Sequence, residues 1–166
     1  MNEDSLENIF GLDGKKLSVV PFKSYLLNLM EMYPEDKKTL KCLPNYREYL
    51  DYASENGYGY AILDNGKPVL CFGVSPQWYG VAELWMIPDV NLLKQYRFKF
   101  HKGAIKFLKM ISEELNLHRI HVTVSPNNSR AIRWIESIFF TREGLLERYT
   151  FDEQDMIMYS KLYERQ

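Results

Sequence analysis

Apolar and polar positions along the chain change period several times, and each change marks an element. Leu17, Val19, Val20 and Phe22 crowd one short run and read as a strand over residues 17–22. Leu26, Leu29 and Met30 then fall at helical spacing and predict a helix over residues 23–32, which Pro34 ends. A second helix is predicted over residues 45–56, with Pro44 near its start, Gly57 after its end, and Tyr46, Tyr49, Leu50 and Tyr52 or Ala53 as its apolar stripe.

The next stretch reads as a meander. Strands are predicted over residues 58–63 and 68–74, joined by the strong turn signal Asp64-Asn65-Gly66. A third strand spans residues 81–87 and stops at Pro88-Asp89. Phe100, Ala104, Phe107, Leu108, Ile111 and Leu115 then repeat at one face of a long helix over residues 94–115. Residues 119–124 alternate as a strand, residues 129–138 form a short helix after the Asn127-Asn128 cap, and two strands over 145–151 and 155–162 flank a turn at Asp152-Glu153-Gln154. This order predicts an α/β (α+β) fold: one mixed, mostly antiparallel central sheet with helices on both faces.

A chain of 166 residues suits a single domain, expected over 15–166. Residues 1–14 read as a flexible acidic arm, which Leu6, Ile9 and Phe10 could dock by a short apolar face. Lys and Arg number 21 and Asp and Glu 22, so the net charge of −1 excludes a wholly basic nucleic-acid binder and makes nucleic acid an unexpected partner. No apolar run approaches the roughly 20 residues of a membrane span, and the start of the chain lacks an apolar signal core. A cytoplasmic protein is expected. Cys42 and Cys71 lie in apolar contexts without a neighbouring cysteine, so free buried thiols are expected and no metal site is.

Several motifs carry a family resemblance. Glu83-Leu84-Trp85-Met86-Ile87-Pro88-Asp89 resembles the fourth strand of the GNAT acetyltransferases. Asn128-Ser129-Arg130-Ala131, with Arg133-Trp134 after it, resembles that family's Asn-x-x-Ala helix, and Phe140 with Glu143-Gly144 resembles its ending. The likeness covers about residues 58–162. It implies the GNAT fold and acetyl-CoA as cofactor. It also implies acyl transfer to a small-molecule or protein amine.

On that resemblance, Trp85, Met86 and Ile87 would line the cofactor arm, Asn128 and Ala131 would lie beside it, and Lys94, Arg97, Phe98 and Lys99 would meet its phosphates. The first helices would supply an aromatic acceptor wall of Tyr33, Tyr46 and Tyr49. Glu83 is the candidate base on the fourth strand, with an ion-paired structural glutamate as the alternative. His121, on the fifth, is the second candidate, with a structural histidine as its alternative.

Two positions depart from the family pattern. Residues 88–100 contain no glycine where the family's phosphate loop is glycine-rich, and glycine is what lets backbone approach phosphate closely. Lys94, Arg97, Lys99, Lys102, Lys106 and Lys109 have no acid among them, so side-chain charge could serve instead; a solvated helix face is the alternative. The family's late-helix tyrosine is Ile135, and its Gly-Phe is Phe139-Phe140. A second expectation therefore stands beside catalysis. The chain also resembles short phage GNAT-like proteins, including podophage internal virion proteins, which implies an inactive module contacting a protein partner or a virion.

Overall fold

The computed structural model describes residues 3–13, 16–42, 45–55, 58–91 and 93–164. Seven strands form one sheet: β1 (Leu17–Pro21), β2 (Tyr58–Asp64), β3 (Lys67–Trp78), β4 (Val81–Pro88), β5 (Arg119–Val124), β6 (Thr141–Leu146) and β7 (Met156–Leu162). Their order is β1-β2-β3-β4-β5-β7-β6. Neighbours are antiparallel except β4 and β5, which run parallel. The helices are α1 (Glu3–Phe10), α2 (Pro34–Cys42), α3 (Tyr46–Glu55), α4 (Leu93–Glu114) and α5 (Ser129–Ser137), with a 3-10 turn at Ser24–Leu29.

The expected architecture holds, and β4 shows why. Side chains alternate across a strand. Ala82 and Leu84 therefore enter the larger core, where Phe10, Phe100, Phe107, Leu108, Ile111 and Ile135 pack from α1, α4 and α5. Trp85 and Ile87 enter the second core with Phe22, Leu26, Leu27 and Leu50. Each large side chain so buried contributes roughly 1.5–3 kcal/mol. The β2–β3 hairpin turns through Asn65 and Gly66 at φ 48° and 81°, the doubly left-handed turn that the Asn-Gly pair accepts.

The structure corrects three expectations. Residues 1–14 are not a loose arm over their described part: Glu3–Phe10 is helical, with Leu6 and Phe10 buried. A Cβ at Gly103 of α4 would collide with the Phe10 ring, so the glycine admits α1 against α4. The helix expected over 23–32 is only the 3-10 turn, and Pro34 opens α2 rather than ending a helix. Proline suits a first helical position because the N–H it lacks would have no intrahelical partner there. Finally, β6 spans Thr141–Leu146, not 145–151; Tyr149 and Thr150 instead bond to Gln154 across a broad turn.

Cys71 is buried and free, and burial pushes its thiol up to about 12. The Cys42 side chain, Pro44 and Gly57 lie outside the described residues. Among the described residues, no helix is long and apolar enough to cross a membrane.

Candidate active site

β4 and β5 pair over only three rungs: Val81↔Arg119, Ala82↔Ile120 and Glu83↔His121. Beyond Glu83 the two strands part. Alternate backbone groups of β4 from Leu84 onward then face a gap without a β5 partner. That gap opens into a cleft of about 460 Å³, lined by Glu83 to Ile87 on one side and Val122 to Ser125 on the other. A smaller apolar cavity of about 130 Å³ lies against α4 and α5. The two share Asp36, Leu84, Met86, Ala131 and Trp134, so they adjoin along one line.

Glu83 and His121 stand side by side at the closed end of the gap, where strand alternation puts both on the α3 face. The Tyr49 hydroxyl donates to Glu83 Oε2 at 3.0 Å, and the Gln77 amide approaches the same oxygen at 3.5 Å. The partners seen on Glu83 are thus neutral groups, not the Arg or Lys of a structural ion pair. Tyr46 stacks beside Tyr49 with ring centroids 5.9 Å apart. Burial, followed by the Glu83 charge, raises the pKa of both phenols, so they remain protonated donors.

His121 is half-buried, and its Nδ1 is buried without a hydrogen-bond partner among the described residues. Burial lowers its pKa from 6.5, partly offset by Glu83, with Arg119 lowering it further and Glu143 raising it. The imidazole is therefore neutral at neutral pH. Arg119 forks onto Glu143 at 2.7 and 2.5 Å, and Ser160 donates to Glu143 at 2.7 Å. These bonds, the Arg119 bond first, hold the Glu143 carboxyl down at about 2.

The other expected residues divide. Met86, Asn128 and Ala131 line the cleft, and Asn128 also caps α5 by accepting from the Ala131 N–H at 3.1 Å. Trp85 and Ile87 border the cleft, but their side chains pack into the second core, Trp85 edge-on to Phe22. Only their backbone is left to meet a ligand.

Lys94, Arg97, Phe98 and Lys99 are exposed on the first turns of α4. Of these, Arg97 reaches the smaller cavity, with its guanidinium 4.5 Å from the Phe98 ring. Lys99 instead donates to the Gly11 carbonyl. Tyr33 does not line the cleft; its ring lies under the Arg130 guanidinium at 3.5 Å.

Sequence reading missed Asp36, Tyr149 and Trp134 as cleft residues. Asp36 lies on the unexpected helix α2 and Tyr149 in the misread turn, so neither sat in a recognisable pattern. Trp134 follows Arg133 in the quoted helix motif and carried a usable signal.

No family model matches the chain, and no curated protein matches it in sequence. Solved structures do match it in fold. A GNAT-family acetyltransferase from Bacillus anthracis is 19% identical, with a TM-score of 0.65, covering 89% of this chain and 95% of that one. A ribosomal L7/L12 alpha-N-protein acetyltransferase in complex with coenzyme A is 14% identical, with a TM-score of 0.65 and coverage of 89% and 94%. A spermidine N-acetyltransferase variant from Vibrio cholerae is 18% identical, with a TM-score of 0.60 and coverage of 89% and 94%. The chain has the GNAT fold.

Proposed function

We propose that this chain transfers an acyl group from an acyl-CoA, acetyl-CoA first among them, to an amine. The observation that carries the reading is the parting of β4 from β5 just beyond the adjacent pair Glu83 and His121. Among the fold neighbours, one is named for a ribosomal protein's amino terminus and one for spermidine, both amines.

The cleft suits the cofactor in shape and donor set. A narrow arm can lie along the unpaired β4 backbone between Met86 and Ala131. Arg97 and Arg130, which line the smaller cavity, would hold phosphates by side-chain charge in place of the backbone amides of a glycine loop, with Lys94 and Lys99 adding positive charge on the neighbouring turns of α4. When bound, the thioester supplies an acyl group at an activated carbonyl.

The protein's own residues do the rest. Glu83 Oε2 takes a proton from the attacking amine, directly or through water. The Tyr49 hydroxyl, bonded to that same oxygen, fixes the carboxylate's direction. Neutral His121 offers a second acceptor beside it. Backbone N–H groups near Met86 would polarise the carbonyl, and as the C–N bond forms and the C–S bond breaks the departing thiolate would take its proton from Glu83 or from water. Tyr46 and Tyr49 wall the acceptor side, and Glu83 supplies the charge that draws in a cationic amine.

Calorimetric titration of acetyl-CoA, with desulfo-CoA as control, tests the reading. Micromolar binding that is lost when Lys94, Arg97 and Lys99 are changed together to Ala is expected. No binding at millimolar ligand would overturn it. A second reading has its own support: Ile135, buried in the core, stands where the family's proton-donating tyrosine would be. On that reading the fold is kept as a scaffold for a protein partner, a phage virion included. Copurification with such a partner and no turnover would favour it.

A further inference from the structure

Helix α2 borders the cleft through Asp36, Thr39 and Leu40, and of its described residues only half-buried Leu40 packs against the second core. None of Pro34 to Lys41 is fully buried. Two polar side chains of α2 hydrogen-bond to the far side of the cleft. Asp36 Oδ2 meets Arg130 Nη2 at 3.2 Å, and Asp36 Oδ1 receives the Asn128 amide at 3.5 Å. Lys38 reaches Gln154 in the β6–β7 turn at 2.9 Å.

Asp36 stands where the two cavities adjoin and lines both. Its carboxylate and the Arg130 guanidinium are 17% and 31% exposed, so the pair is sheltered rather than a loose surface contact. Tyr33 closes the far face of the guanidinium at 3.5 Å and so fixes it in place. Burial raises the Asp36 pKa, while Arg130 pulls it back.

We infer that α2 is a strap, latched by Asp36 onto Arg130 and Asn128, that must lift before a long ligand can occupy both cavities. This rests on the acyl-CoA reading for the identity of the ligand but not for the latch itself. A ligand phosphate brought to Arg130 competes with the Asp36 carboxylate for the same guanidinium. Binding and unlatching are then one exchange of anions, and Arg130 is never left unpaired. The exchange also frees the Asn128 amide, whose oxygen continues to cap α5.

Two readouts test the latch without any ligand. Hydrogen exchange of the α2 amides reports its lifting. Acrylamide quenching of Trp134, in a Trp78→Phe background that removes the exposed indole, reports access to the cleft. Asp36→Asn keeps the side chain's shape and removes its charge. Arg130→Gln breaks the pair from the other side.

Both variants should speed α2 exchange about tenfold or more, as loss of a charge-assisted bond implies, with the exchange of β4 and β5 unchanged. Trp134 quenching should rise at least about twofold in both, because α2 no longer shields the cleft. Unchanged exchange and quenching in either variant would overturn the strap. Acetyl-CoA is then added to the Asp36→Asn protein, which keeps Arg130 for the phosphate. An opened Asp36→Asn protein that still fails to bind it would leave the strap standing and overturn the acyl-CoA reading instead.

Discussion

Glu83 and His121 are register partners on the last parallel rung between β4 and β5, immediately before the strands part. A carboxylate and a neutral imidazole thus sit side by side where the strands part beside a cleft. Glu83→Gln should lower acyl transfer about a hundred- to ten-thousandfold, the usual worth of a positioned base. Acetyl-CoA affinity should be unchanged. Steady-state rates beside calorimetry check both, and a variant with full activity would remove Glu83 from the mechanism.

Acid stability should fall in response to two groups. His121 has its pKa lowered in the folded protein, so the unfolded chain binds its proton first as pH falls below 6.5. Stability therefore drops from that point downward, and His121→Gln should flatten the drop. Glu143 is held at about 2 against 4.5. Its contribution is whole above 4.5 and is lost as pH falls toward 2. Glu143→Gln should flatten this lower window and, by removing a charge that raises the His121 pKa, steepen the upper one. Urea midpoints across pH for the three proteins separate the two groups.

Phe139 ends α5 at φ 70°, a left-handed conformation that a bulky side chain adopts at a cost. It is also exposed, with the Lys161 ammonium 5.3 Å from its ring. Phe139→Gly should stabilise the protein by about 1 kcal/mol, the left-handed strain less the lost cation contact. A higher melting temperature checks it, and a lower one would mean the ring is held by more than Lys161.

Gly103→Ala should loosen α1. The added methyl meets the Phe10 ring, so either α1 shifts or α4 bends, and overpacking of this kind costs about 1–3 kcal/mol. Faster proteolysis within Glu3–Phe10, together with a lower melting temperature, is the expected result. Phe10→Leu in the same chain should restore part of the loss by making room.

How much was legible from the sequence depended on how each segment is held. The hairpin at Asn65-Gly66 and the buried face of α4 follow local rules of turn chemistry and period, and both stand as read. α2 was missed because its residues, Pro34-Glu35-Asp36-Lys37-Lys38, have no apolar stripe to reveal a helix. Its position depends on Arg130, Asn128 and Gln154, up to 116 residues away. Tyr33 was grouped with Tyr46 and Tyr49 by residue type, yet it packs under Arg130 instead. An aromatic ring carries no mark in sequence of which face it will serve.

The sequence by itself determined the order of the strands and long helix along the chain, the buried face of α4, and the candidacy of Glu83 and His121, because period and residue chemistry are local properties. Tertiary structure alone decided that β4 and β5 part after the third rung, that Tyr49 reaches Glu83, and that Asp36 pairs with Arg130. Those are contacts between segments far apart in the chain. Their geometry comes from how the sheet and helices pack together, which no local pattern encodes.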